Sequence, residues 1–235
     1  MISEQHFSSS FTSVWHEIIP LADTYWRREN LKIVRQVSPI DNVAPVNLRG
    51  FLNELAFETF SRMRAAGLLP KKDIILKIAQ ECIESVAEYI LRITRDELSV
   101  VLQLDEMCKQ EVFGMTRNLM QSFPDKRDFQ IRPNFSGCGV VSACEGDLIY
   151  KDCLYEIKAG DRGFRVSDVK QLLIYSSLAF SEGELNFSKV GLFNPRNGYY
   201  WERTLDRLCI ELSGMRESDV LSSVAVSMTQ LAISK

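Results

Sequence analysis

The chain has 235 residues, of which 46% are hydrophobic and 25% charged, a composition that excludes a disordered protein and suits one large domain or a core with an extension. Its formal net charge is −3, so contact with a nucleic acid requires a local basic patch set against an acidic remainder. No run approaches the roughly 18 apolar residues of a membrane span, MISEQHFSSSF carries no basic segment followed by an apolar one, and none of the six cysteines forms a CxxC pair. These features predict reduced thiols in a cytoplasmic protein with no membrane partner.

In chain order, residues 11–35 read as helix, with Trp15, Ile18, Ile19 and Trp26 among the apolar positions and Pro20 as a break. Residues 38–46 (SPIDNVAPV) hold two prolines and read as a loop. Asn47 is placed to cap a helix over about 48–66, whose apolar set is Phe51, Leu55, Phe57, Phe60 and Met63 and which Gly67 stops. Pro70 opens a long helical stretch with Ile75, Ile78, Ile83, Val86, Ile90 and Ile93 near helical spacing. A further helix is expected over 96–121, and Pro124 with the run DKRD marks a boundary.

The texture then changes. Residues 129–159 contain the β-rich runs FQIRPNF, GVVSA, DLIYKD and CLYEIKA. Residues 166–180 return to helical spacing, KVGLF and YYWERT read as strands around the turn residues NPRNG, and the tail from 204 is helical. The expected fold class is α/β, a mixed sheet flanked by helices with an α-helical first half. His6 and His16 read as structural or exposed, and Cys138, Cys144 and Cys153, at spacings of six and nine, read as packing thiols in preference to zinc ligands.

The chemistry centres on Glu156-Ile157-Lys158. Residues two apart on a strand share a face, about 6.5 Å apart, so Glu156 and Lys158 point one way and Ile157 the other. A carboxylate and an ammonium on a partly buried strand are costly unless paired or bound to something. If 147–150 and 153–158 pair as a hairpin through the KDC turn, Asp147 comes beside Glu156. Two adjacent carboxylates repel, and a hard divalent cation relieves that repulsion. A lysine beside the cation can position water and stabilise charge on a phosphate. Gln171 and Tyr175, four apart on the next helix, share a face that can look into the same place.

Asp147, then Glu156-x-Lys158, then Gln171-x-x-x-Tyr175 resembles the PD-(D/E)XK phosphodiesterase superfamily in its RecB-like branch with the QxxxY helix. RPNFSGCG and EGDLI also resemble the approach to that motif, and the likeness covers about residues 130–205. It implies a restriction-endonuclease-like core over 126–235 and a helical region over 1–125. It further implies Asp147, Glu156 and the Ile157 carbonyl as ligands for Mg²⁺ or Mn²⁺, Lys158 as the catalytic lysine, and Gln171 and Tyr175 as substrate-orienting residues. Family members often add an acid from the first core helix. The 48–66 helix, whose RGFLNELAF resembles the start of such a domain, offers Glu54, four residues after Gly50, and Glu58 a turn later, while Glu111 on the helix before the sheet is the competitor. With Glu54, residues 68–125 become a helical insertion. Arg162, Arg165 and Lys170 are candidates for contact with the DNA backbone. Only Cys209 lies downstream of the Gln–Tyr helix, so no iron–sulfur cluster of the kind some relatives carry is expected. The function implied is DNA hydrolysis in prokaryotic defence or DNA processing, with a helicase or ATPase as partner and room for a homo-oligomer. The alternative is a catalytically silent DNA-binding or assembly subunit, and the motif leaves RNA open as a substrate.

Overall fold

A computed structural model of the chain describes residues 1–93, 103–125 and 129–233. Helices α1 (Glu4–Ser10), α2 (Thr12–Ile18) and α3 (Ala22–Asn30) lead into a two-residue strand, β1 (Val34–Arg35). A 3-10 turn (Val46–Leu48) opens α4 (Arg49–Ala65), followed by α5 (Lys72–Ile93) and α6 (Glu106–Ser122). Next come β2 (Phe129–Ile131), β3 (Asn134–Phe135), β4 (Cys144–Glu145), β5 (Leu148–Tyr150) and β6 (Cys153–Ile157). The chain continues with α7 (Val166–Glu182), β7 (Lys189–Phe193), β8 (Tyr199–Thr204), α8 (Leu205–Ser213) and α9 (Glu217–Ile233).

Local chemistry sets the element ends. The Ser3 hydroxyl accepts the His6 N–H to cap α1, and Asp105 accepts the Cys108 N–H at 2.8 Å to cap α6. Gly183, at φ 72°, closes α7 in the left-handed region. The β5–β6 hairpin turns on Lys151 and Asp152, with Lys151 itself left-handed at φ 56°.

Among the described residues, the main sheet has six strands in the order β1-β8-β7-β6-β5-β2, and β3 and β4 form a separate pair. β5 and β6 are antiparallel, with Leu148 opposite Tyr155. β6 and β7 are parallel, joined by the crossover helix α7, and the remaining pairs are antiparallel. The fold is therefore α/β with a mixed sheet. One face carries a core in which Trp15, Leu154, Leu172, Val190, Leu205 and Val224 meet, contributed by the first helices, α7, α8 and α9. The other face packs Phe60, Leu119, Phe123, Tyr155 and Phe193 beneath α4 and α6. Residues 1–125 and 126–235 contribute to both cores. β6 is covered on both sides, which explains its nearly unbroken apolar run and makes the buried Glu156 an exception within it.

Several elements differ from the sequence-based expectations. Residues 11–35 are two helices broken around Pro20, and then a short edge strand, not continuous helix. α4 takes Leu48 and not Asn47 as its cap position, because the 3-10 turn precedes it. α6 starts at Glu106, and residues 96–102 and 126–128 of the expected helix and charged boundary lie outside the described residues. GVVSA is not a strand: Val140 donates to Met228 O and Ser142 to Ile2 O, so its backbone is satisfied by α9 and the N-terminus. FQIRPNF divides between the two sheets. Among the described residues, no helix is long and apolar enough to cross a membrane.

Candidate active site

The hairpin register, continued one residue beyond Leu148–Tyr155, sets Asp147 opposite Glu156. Both lie on the sheet face covered by α7, and Ile157 packs on the opposite face. Asp147 Oδ2 accepts the Ile157 N–H at 2.6 Å, which fastens the start of β5 to the end of β6. Lys158 Nζ donates to Glu156 Oε1 at 2.8 Å and to Gln171 Oε1 at 2.9 Å. Gln171 Nε2 donates to the Tyr175 hydroxyl at 2.8 Å, and that hydroxyl donates to the Glu145 carbonyl at 3.2 Å. One hydrogen-bonded chain thus runs from the strand carboxylate through the lysine to the helix. The helix supplies its pair because residues i and i+4 of α7 fall on one face.

These side chains line a cleft of about 1300 Å³, whose walls also include Glu4 from α1, Glu54 and Glu58 from α4, Tyr89 from α5, and Arg132. Among the described residues, the ionisable lining is unbalanced. Glu4, Glu54, Glu58, Glu145, Asp147 and Glu156 face Arg92, Arg132 and Lys158. Burial and the neighbouring Glu156 push the Asp147 carboxyl well above the usual carboxylate range. Burial also raises Glu156, although the Lys158 ammonium opposes it. Burial works against the charge on Lys158, but the Glu156 carboxylate outweighs it and holds the ammonium above its ordinary pKa. Cys144, on the cleft wall, has its thiol pushed up to about 12 by burial and the nearby Glu4, so it is an unreactive thiol.

The donor set can be weighed against a hard cation. Glu156 is 5% exposed, and among the described residues its Oε2 has no hydrogen-bond partner. Two adjoining carboxylates with raised pKa and one unpartnered buried oxygen suit an oxygen-seeking divalent ion. Among the described residues, no three His, Cys, Asp or Glu side chains are gathered to hold a metal ion. Glu54 stands across the same cleft but is ion-paired with Arg132.

The other sequence-derived candidates fall in varied places. Glu111 is fully buried away from the cleft, where it pairs with Arg196 and accepts the Ala44 N–H at 2.6 Å. Arg162 lines a smaller adjoining recess and grips Asp168 through two hydrogen bonds of 2.8 and 2.9 Å. Arg165 is exposed at the start of α7. Lys170 lies over the Trp15 ring at 5.6 Å, and burial lowers its pKa. All six cysteines are free, with Cys209 buried in the core beside α7 and α9.

Sequence reasoning missed Glu4, Arg132 and Arg196. Glu4 Oε1 receives a 3.4 Å hydrogen bond from Gln171 across 167 positions. Its one legible signal was Ser3 ahead of Glu4, a cap followed by a first-turn acid. Arg196 is fully buried inside a segment that reads as a plain turn. It bonds Ala159 O at 2.8 Å and Asn53 Oδ1 at 2.8 Å, joining the end of the Glu156–Lys158 segment to the α4 helix that carries Glu54. Comparison with known proteins finds no protein-family model that matches this chain and no curated protein that matches its sequence.

Proposed function

We propose that the chain is a metal-dependent nuclease that hydrolyses phosphodiester bonds of DNA, of the PD-(D/E)XK type with a restriction-endonuclease-like core. The observation that carries this reading is the hydrogen-bonded chain Glu156–Lys158–Gln171–Tyr175, with Asp147 facing Glu156 at the floor of a large cleft. In this reading Asp147, Glu156 and the Ile157 carbonyl hold Mg²⁺ or Mn²⁺, and Glu54 is the further acid. The bound cation supplies Lewis-acid activation of water and neutralises charge on the phosphate. Lys158, fixed between Glu156 and Gln171, orients the attacking water and stabilises charge on the reacting phosphate. Gln171 holds the lysine in place, and Tyr175 holds Gln171. The acidic excess among the described residues of the cleft supports a need for cations when a polyanion enters. A cytoplasmic role in prokaryotic defence or DNA processing, beside a helicase or ATPase, belongs to the same proposal.

A second reading, a catalytically silent DNA-binding or assembly subunit, draws on the Glu54–Arg132 pair, which occupies the acid that would join Asp147 and Glu156. Incubation of the full chain with supercoiled plasmid and with RNA, in Mg²⁺, in Mn²⁺ and in EDTA, separates the two. Cation-dependent cleavage of the plasmid supports the nuclease. DNA binding with neither substrate cut in either cation supports the silent subunit, and cleavage of RNA alone moves the substrate class.

A further inference from the structure

Arg132 follows β2 and has a left-handed backbone, φ 50°, with its N–H bonded to the Asp147 carbonyl at 3.0 Å. A non-glycine residue held in this region costs energy and persists only where its surroundings fix it, and such outliers gather where ligands are handled. The side chain projects into the cleft. Its guanidinium lies 4.5 Å from the Tyr89 ring centre and 5.5 Å from that of Phe57, and it pairs with Glu54, with Glu58 at 3.7 Å and with Glu145 at 4.0 Å. The Arg132 and Glu54 side chains are each about one-quarter exposed, so the pair can be reached from the cleft. Lys158, by contrast, is committed to Glu156 and Gln171. A planar guanidinium flanked by aromatic rings and facing acids is a site that a phosphate can enter by exchange, since it accepts a carboxylate or a phosphate with the same forked geometry.

We infer that Arg132 takes a phosphate of the nucleic acid, and that this phosphate displaces Glu54. The displaced Glu54 carboxylate then stands free on the cleft wall to join Asp147 and Glu156. Substrate and cation thereby help one another, because the phosphate removes the ion pair that keeps the third acid occupied. Two ligands that both favour the open pair tighten each other's binding by the same factor. The cation half of this inference rests on the nuclease reading. The phosphate half does not.

The experiment uses the full chain, a short fluorescein-labelled single-stranded DNA followed by anisotropy in EDTA, and Mn²⁺ followed by electron paramagnetic resonance. In EDTA, Glu54→Gln is expected to bind the oligonucleotide about tenfold more tightly than wild type, and Arg132→Gln about tenfold more weakly. A phosphorothioate version of the oligonucleotide should tighten Mn²⁺ binding to wild type and leave Mn²⁺ binding to Arg132→Gln unchanged. If Arg132→Gln does not fold, Glu54→Gln alone decides the phosphate half. Equal affinity of wild type and Glu54→Gln for the oligonucleotide in EDTA overturns the inference, and so does unaltered coupling in a folded Arg132→Gln. Absence of Mn²⁺ binding to wild type overturns the nuclease reading and with it the cation half, while the EDTA measurements still decide the role of Arg132.

Discussion

Lys158 and Gln171 are joined by a 2.9 Å hydrogen bond from the ammonium to the amide oxygen, which ties the end of a central strand to the first turns of the helix that crosses over it. The amide nitrogen of Gln171 is fixed in turn by Tyr175 at 2.8 Å. The tyrosine is buried, and burial with the nearby Glu156 keeps its hydroxyl far above its ordinary pKa, so it stays protonated and donates to the Glu145 carbonyl.

Tyr175→Phe should therefore act through position and not through charge. It removes the hydroxyl that orients Gln171 but keeps the ring stacked on Phe135 at 5.1 Å. The expected loss of stability is about 1 kcal/mol, the net worth of an ordinary hydrogen bond. Cleavage should fall about tenfold in kcat, with KM for DNA little changed. A variant that cuts at the wild-type rate would remove Tyr175 from the support of Lys158.

Asp147 provides a test in pH. Burial and Glu156 raise its folded pKa above the unfolded value. An acid raised in this way contributes stability below the ordinary carboxylate range, and that contribution is lost as pH rises through the raised folded value. Above that value the ionised group works against the fold. Asp147→Asn keeps an oxygen for the Ile157 N–H and removes the charge, so in EDTA it should melt above wild type at pH 7.5. The gap should close as the buffer is taken below the ordinary carboxylate range. Each kcal/mol gained corresponds to about 2–4 °C in a chain of this size. Saturating Mg²⁺ should raise the melting temperature of wild type and not of the variant. Equal melting of the two proteins in EDTA at both pH values would contradict an unfavourable charge at Asp147.

Glu54, proposed as the further acid of the site, and Glu111, paired with the buried Arg196, make opposite forecasts. Glu111→Gln strips the fully buried Arg196 of its carboxylate partner, a change that costs about 3–5 kcal/mol. The expected result is a melting temperature lower by roughly 10 °C, with cleavage per folded molecule largely kept. Glu54→Gln should do the reverse, leaving melting within a few degrees and lowering cleavage. Calorimetry and plasmid cleavage on the same preparations decide between them, and an inactive but normally melting Glu111→Gln would restore it as the acid of the site.

The parts of the site that follow from short-range periodicity were legible in the sequence. A period of two places Glu156 and Lys158 on one face, a period near four places Gln171 with Tyr175, and the Lys151–Asp152 turn sets Asp147 opposite Glu156. The strands β5 to β8 and the crossover α7 could be read for the same reason. What could not be read depends on long-range packing. The two residues of β1 are too short to carry a pattern, and they pair with β8 across most of the chain. Arg132 adopts a left-handed backbone that no residue type at that position announces. Asn194 and Arg196 sit in a sequence rich in turn residues, yet both are fully buried, because their polar groups bond Gly160 O and Ala159 O just past Lys158. Turn composition predicts a surface loop, and only the partners reveal a buried clamp.

The central claim is that Lys158 serves a phosphodiester-cleaving site, and Lys158→Gln tests it most directly. The variant keeps a hydrogen-bonding group between Glu156 and Gln171 and removes the positive charge. Plasmid cleavage in Mg²⁺ and thermal melting are measured on the same protein. The expected result is a folded protein whose cleavage rate is about 10²–10³ lower than wild type, the usual cost of losing one preorganised electrostatic donor. A folded Lys158→Gln that cuts as fast as wild type, or a wild-type protein that cuts equally well in EDTA, would contradict the claim.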